Sequence, residues 1–466
     1  MKELRRNMRL IGVVLICLFV GAGAWFGYTA QTQGSRWMTS SYNQRLNRAK
    51  SSVTMGSITD RDGYMLAWTD ELGERQYSTD MSVRLALSQT VGDMMGMSGT
   101  GVQAFHAGTL VGMSGSIIDR TWQWLSGEQS RGDDIRLTVD ATLCSAIRRA
   151  FPSGYNGAVV VLNYKTGEIL AMVSMPEYDP GHLGADVVDT AYFNRCLQGQ
   201  YTPGSIFKIV TLAAALENVP NALTETFTCN ASKVFGDGPV TCLSGTAAHG
   251  ELNLRQAFVQ SCNVTFATIG TRMGTGTLTR TAEAFGFNDD FTFSDIMLYA
   301  SRFPRDISSL HELAWTSVGQ GRLLVTPMHM AMIAGGIANG GVVMEPRLIR
   351  QVTGPTGLVR SRMSAGAYRH IVTASTASLI GEHMRDVVAW GTGTRAQVAG
   401  YTICGKTGSA EVSDDKSVQP HSWFVGYVDS DACPYAVAVV IENGGAGSGL
   451  AAELAGQALR AAIELV

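Results

Sequence analysis

The stretch Tyr201-Thr202-Pro203-Gly204-Ser205-Ile206-Phe207-Lys208 orders the reading of the whole chain. Pro203 and Gly204 mark a turn, and Ile206 to Glu217 is rich in Ala, Leu and Val with no internal Pro or Gly, so a buried helix opens at Ser205. Lys208 lies three residues on and shares a helical face with Ser205, which brings an amine within reach of a hydroxyl. A serine is a weak nucleophile until a base takes its proton, and a lysine desolvated by apolar neighbours can be that base. Exposed N–H groups and the positive dipole end of the helix would face a reacting carbonyl. Ser205 is therefore the candidate nucleophile and Lys208 its candidate base. The plainer reading of Ser205 is a helix cap.

Ser-x-x-Lys on its own proves little, and Ser413-Asp414-Asp415-Lys416 repeats the spacing with two acids and no apolar shelter. Two further motifs lie downstream of Ser205: Ser261-Cys262-Asn263 and Lys406-Thr407-Gly408. Ser261 offers a hydroxyl able to pass a proton, and Asn263 an amide able to grip a peptide group. The alternative for both is capping or a satisfied buried pair. Lys406 places a cation beside the serine, and Gly408 leaves a strand bare where an extended ligand backbone would run. Ser41-Tyr42-Asn43 and Lys165-Thr166-Gly167 match the same two patterns but precede Ser205 in the chain.

The 466 residues carry a formal net charge of -3, so no basic surface argues for nucleic acid and no acidic tail for a solvated arm. Lys2, Arg5, Arg6 and Arg9 precede an apolar run from Leu10 to about Ala30, enough to span a bilayer with Met1 in the cytoplasm. The competing reading is a secretory signal cleaved near Ala22-Gly23-Ala24. Trp25, Phe26 and Tyr28 continue the run past that point and suit an interfacial belt, which favours a retained anchor. Seven of the eight cysteines lie outside the run, an odd number that does not fit a disulfide scaffold. Cys229 and Cys242 are the best candidates for a bridge, with two free thiols as the other reading. Local spacing supports no metal site, and no cofactor is expected.

Residues 1–9 read as a cytoplasmic tail, 10–30 as the anchor, 31–131 as a smaller β-rich module beginning with a polar linker over 31–50, and 132–466 as the main domain. The interdomain connection falls within Leu125 to Asp134. Gly157 to Leu162 and Glu168 to Val173 form a hairpin, Thr224 to Gly250 reads as a loop-rich insertion, and Leu252 to Gly270 and Pro327 to Gly336 as helices. Ile403 to Ala410, Trp423 to Val428 and Tyr435 to Glu442 form a meander closed by a helix over Ala451 to Val466. The class is α+β, an antiparallel sheet flanked by helices. No assignment is made for Gly92 to Gly115.

The three motifs, in the order serine–lysine, serine–asparagine, lysine–threonine–glycine, resemble the transpeptidase domain of class B penicillin-binding proteins. Leu137 to Asp140, Lys165 to Ala171, Asn194-Arg195, Ile337 to Gly341 and His421 to Tyr427 are similar to further family segments. The resemblance implies a peptidoglycan D,D-transpeptidase acylated at Ser205, with Lys208 as base and Ser261, Asn263 and Lys406 in the catalytic group. It implies that Thr407, Gly408 and Ser409 bind substrate, with the N–H groups of Ser205 and Ser409 forming the oxyanion hole. The implied substrates are stem peptides ending in D-Ala-D-Ala, the implied inhibitors β-lactams, and the implied partner a membrane glycan polymerase of the rod-shape and division family. Ile206 and Ser409 stand where the family commonly has threonine. A D,D-carboxypeptidase and a serine β-lactamase share this nucleophile, and the long anchored N-terminal region argues against the latter.

Overall fold

The computed structural model describes residues 2–38, 53–113, 130–184, 187–242, 248–413, 415 and 417–466. The Ser41-Tyr42-Asn43 motif, positions 39–50 of the linker, 125–129 of the connection, and Asp414 and Lys416 lie outside the described residues. Helix α1 (Lys2–Met38) contains Arg6–Thr29, a 24-residue stretch with an 18-residue window of mean hydropathy 2.3, long and apolar enough to cross a membrane. No proline interrupts it, and the helix continues beyond the apolar run.

Strands β1 (Ile58–Thr59), β2 (Met65–Thr69), β3 (Arg75–Tyr77) and β4 (Asp134–Leu137) come first, with helix α2 (Ala141–Ala150) after them. The hairpin β5 (Gly157–Asn163) and β6 (Ile169–Met175) leads to α3 (Lys208–Asn218). Four short strands follow, β7 (Thr226–Cys229), β8 (Ser232–Phe235), β9 (Gly238–Thr241) and β10 (Gly250–Asn253), and then α4 (Leu254–Val259) and α5 (Asn263–Ala284). Helix α6 (Pro327–Ala338), β11 (Ile349–Thr353), β12 (Val359–Arg362) and α7 (Ala374–Ala389) precede the meander β13 (Ile403–Ala410), β14 (His421–Val428) and β15 (Tyr435–Ile441), and α8 (Leu450–Leu465) closes the chain.

The main sheet runs β13-β14-β15-β5-β6, antiparallel throughout. Every residue of β15 is buried, which requires cover on both faces: α2 and α8 pack together with the sheet, and α6 packs over β5 and β15 from the other side. That double cover explains why Tyr435 to Ile441 is a continuous apolar run instead of an alternating one. β13 is the edge strand, so one side of its backbone borders the cleft described below.

A second sheet has the order β12-β11-β4-β1-β2-β3, with β1 and β4 parallel and its other pairs antiparallel. It takes strands from both sides of the 131/132 division expected from the sequence. The 224–250 segment is not simply a loop insertion: β7 pairs with β10 and β8 with β9, forming two small ribbons. Within 92–115, two single-turn helices form at Val102–Phe105 and Ala107–Leu110.

Candidate active site

The turn that carries Ser205 is fixed from three sides. Gly204 N–H donates to the Gly319 carbonyl at 2.9 Å, Tyr201 pairs with Val325, and Trp423 Nε1 donates to the Thr202 carbonyl at 3.1 Å. Gly204 sits at φ +57, and a Cβ there would stand 2.5 Å from the Ser409 carbonyl oxygen. Only glycine lets this turn close against β13. Residues 204–207 form a 3₁₀ turn, and the α-helix proper starts at Lys208, so Ser205 stands just ahead of the helix instead of inside its first turn. Upstream, Glu442 accepts from both the Tyr201 hydroxyl at 2.8 Å and the buried Arg195 Nε at 2.7 Å, tying the chain before the nucleophile to the end of the central strand.

Ser261 occupies the bend between α4 and α5 at φ +56, a left-handed conformation uncommon for serine. Its Oγ accepts from Lys208 Nζ at 3.2 Å and from Lys406 Nζ at 3.0 Å. Lys208 Nζ also donates to the Ser261 carbonyl and to Asn263 Oδ1, each at 2.7 Å, and Asn263 Nδ2 donates to the Thr241 carbonyl at 2.8 Å. Lys406 Nζ donates to the Thr407 carbonyl at 3.1 Å. Both lysines are 0% exposed. Burial pushes Lys208 down to about 8 from the ordinary lysine value, and burial followed by the neighbouring Lys208 ammonium lowers Lys406. Among the described residues, the hydrogen bonds of Lys208 Nζ go to Ser261 and Asn263 and not to Ser205 Oγ. Such resting geometry is common where a catalytic bond tightens only once a ligand is bound.

These groups open on one cleft of ≈ 340 Å³, whose walls include Ser205, Ser261, Asn263, Thr407 and Ser409. The structure thus brings all three motifs together, Lys406 lying behind the wall through its bond to Ser261. Gly408 has a different physical reason from the one its motif suggested. A Cβ there would stand 2.9 Å from the Pro203 carbonyl oxygen and 3.0 Å from Ile206 Cγ2, so the bare position admits the nucleophile turn and not a ligand. Ser409 Oγ accepts from Gly447 N–H at 3.0 Å. Sequence reasoning missed Gln320, Thr392, Trp315 and Glu411, which also line the cleft. Thr392 and Thr407 hydroxyls lie 2.6 Å apart. Gln320 and Thr392 each stand between two glycines, a local sign of a tight loop presenting one side chain; Trp315 carries no such sign.

Residues 157–460 match the penicillin binding protein transpeptidase domain family. The chain belongs to that family. The peptidoglycan D,D-transpeptidase PbpA of Mycobacterium tuberculosis is 32% identical over 383 residues, covering 74% of this chain and 75% of the relative. The ceftriaxone acyl-enzyme structure of penicillin-binding protein A from M. tuberculosis superposes with a TM-score of 0.80 at 28% identity, covering 90% of this chain and 100% of that one. The D,D-transpeptidase domain of a peptidoglycan glycosyltransferase from Eggerthella lenta gives 0.76 at 30% identity, covering 89% and 99%. This penicillin-binding protein is a class B member with the family's mixed α/β fold.

Of the bridged and free readings of Cys229 and Cys242, the structure shows the second. Cys229 and Cys242 are free thiols with sulfurs 3.6 Å apart. Spacing along the chain suggested no metal ligands, yet Cys229, Cys242, His249 and Cys262 converge beside the cleft.

Proposed function

We propose that this chain is a peptidoglycan D,D-transpeptidase that forms an acyl-enzyme at Ser205. The observation that carries this reading is the convergence of two buried lysines on the Ser261 hydroxyl, one turn from a serine on the same cleft. Neutral Lys208 takes the Ser205 proton as Oγ attacks the carbonyl carbon of the penultimate D-Ala of a donor stem peptide. The N–H groups of Ser205 and Ser409 receive the oxyanion. The proton passes through Lys208 and Ser261 to the departing amine of the terminal D-Ala, with Lys406 holding the Ser261 hydroxyl in place. An acceptor amine then attacks the ester carbonyl, Lys208 takes the amine's proton and returns it to Ser205 Oγ as the ester bond breaks, and the free serine and neutral lysine are restored. Thr407 and the Ser409 hydroxyl hold the donor's carboxylate end, and Asn263 its peptide group.

Residues 132–466 would be the catalytic unit and 31–131 the non-catalytic module, held outside the cell by a single pass through the membrane. Glycan strands would come from a separate polymerase of the rod-shape and division family. β-Lactams would acylate Ser205 because they place a strained amide where the D-Ala-D-Ala bond lies.

The test is incubation of the full-length chain in detergent with a D-Ala-D-Ala donor peptide and an amine acceptor, alongside a labelled penicillin. Release of D-Ala with formation of the cross-linked product is expected, together with a penicilloyl adduct on Ser205. D-Ala release with water as the acceptor in place of the amine would convert the reading to a D,D-carboxypeptidase.

A further inference from the structure

Four side chains from separate segments meet at the wall of the cleft that carries Ser261 and Asn263, and two of them, Cys242 and His249, line the cleft itself. Cys229 ends β7, Cys242 follows β9, His249 precedes β10, and Cys262 caps the N-terminus of α5. The sulfurs of Cys229 and Cys242 lie 3.6 Å apart, and those of Cys242 and Cys262 lie 3.9 Å apart. His249 Nδ1 stands 3.3 Å from the first sulfur and 3.6 Å from the second. All four ligand atoms fall within 4.8 Å of one another, and the three thiols are buried.

A disulfide would consume two of these thiols and leave a third thiol and an imidazole aimed at it, with no role for their convergence. A tetrahedral ion explains all four. Zinc holds sulfur at about 2.3 Å and imidazole nitrogen at about 2.0 Å, which sets sulfur–sulfur edges of about 3.8 Å and sulfur–nitrogen edges of about 3.5 Å. The four edges given straddle those values, and the two that remain stay within 4.8 Å. Thiolate and imidazole together favour zinc over the oxygen-seeking divalent ions. We propose that Cys229, Cys242, His249 and Cys262 form a Cys₃His zinc site that fixes the Ser261–Asn263 segment.

Four protein ligands close the coordination sphere, so the metal is structural and takes no part in acyl transfer. Its work is positional. Cys262 stands between Ser261 and Asn263, and Ser261 is held in a left-handed conformation that its neighbours must enforce. The other three ligands belong to the β7–β10 ribbons, whose four-residue strands bury too little to hold their own shape. One ion would lock ribbon and active-site bend together, and the Asn263 Nδ2 bond to the Thr241 carbonyl lies on that seam. The site goes beyond the transpeptidase reading, since zinc content is independent of the reaction. Only the acylation readout below rests on that reading.

The full-length chain, purified in detergent with reductant, should contain about one zinc per chain by elemental mass spectrometry. Cys229→Ser and His249→Ala should lose it, and Cys144→Ser, a buried thiol elsewhere, should keep it. Because a ligand variant can fail to fold, Co²⁺ exchanged into the unmodified chain provides a second test: visible bands of tetrahedral thiolate-bound cobalt are expected. Chelation should slow penicillin acylation by about 10- to 100-fold, with recovery on adding Zn²⁺. Substoichiometric zinc without cobalt bands, zinc retained in both ligand variants, or a Cys229–Cys242 disulfide in chain isolated without reductant would each overturn the site. Full zinc with acylation unchanged by its removal would overturn the positional role. Full zinc in a chain that never acylates would leave the site standing and remove the transpeptidase reading instead.

Discussion

Lys208 must be neutral to act as a base, and burial has brought it only part of the way there. At about 8, roughly one Lys208 in ten is neutral at pH 7. Protonation removes the base, so the acylation rate should climb as pH rises and level off above the lysine's own value. Between about pH 6 and about pH 8 the climb should be roughly fiftyfold. Stopped-flow acylation with a chromogenic cephalosporin measures it, and a flat profile over that range would exclude Lys208 as the base. Ser205→Ala should abolish the covalent adduct in intact-mass spectra, and Lys208→Ala should slow acylation by about 10² to 10⁴ while leaving Ser205 in place. At this scale the sequence was informative where function is written in contiguous residues. Ser205 and Lys208 stand three residues apart, and Ser261 and Asn263 flank a single residue, so motif spacing and order together singled them out as candidates. What it left hidden arises across the fold. The three acceptors of Lys208 come from a bend 53 to 55 residues away, and the His249 contacts depend on how two ribbons fold back on α5.

The elements around the nucleophile act as a clamp, and its tightest point is glycine against strand. Gly204→Ala would put a Cβ in a left-handed turn and 2.5 Å from the Ser409 carbonyl. A cost of about 1–3 kcal/mol in stability is expected, with a slower acylation, because the turn and β13 must separate to relieve the clash. Thermal unfolding with and without bound penicillin checks this, and an unchanged Tm would mean that the turn relaxes freely. Arg195→Met attacks the clamp from the other end. Among the described residues it leaves Tyr201 as the hydrogen-bond partner of the Glu442 carboxylate, and a loss of about 2 kcal/mol is expected, less than for a fully buried pair because Glu442 retains some solvent contact. The meander over 403–441 and its closing helix could be read from the sequence because apolar runs and β-branched residues coincide there. The ribbons over 226–253 could not. Their strands have four residues each, two of them alternating in burial and two not, and are separated by Asn, Gly and Asp, so the runs are too short to outweigh the turn residues and only pairing makes them strands.

Across the whole molecule, the second sheet joins strands on either side of residue 131, so β4 and β11 carry contacts of the N-terminal module into the catalytic part of the chain. No local pattern in Ile349 to Thr353 announces a partner 212 to 219 residues earlier, which is why the sequence reads as two consecutive units. The remaining long-range feature is the anchor, and it separates two topologies. A cleaved signal would release the chain near Ala22-Gly23-Ala24, whereas α1 runs as helix through those residues to Met38, and Trp25, Phe26 and Tyr28 stand exposed on its surface at 61% or more. The apolar stretch is of membrane-spanning length, longer than the short apolar core of a signal peptide, and aromatic side chains at its end suit a membrane interface. Four basic residues before the run favour an N-terminus on the cytoplasmic side. The chain should therefore retain Met1 to Arg9 after export, detectable as the intact mass of protein extracted from membranes. Protease added to spheroplasts should digest the Ser205 domain while sparing an N-terminal tag. Recovery of a chain starting near Trp25, or a Ser205 domain fully protected in intact spheroplasts, would reject the retained single-pass anchor.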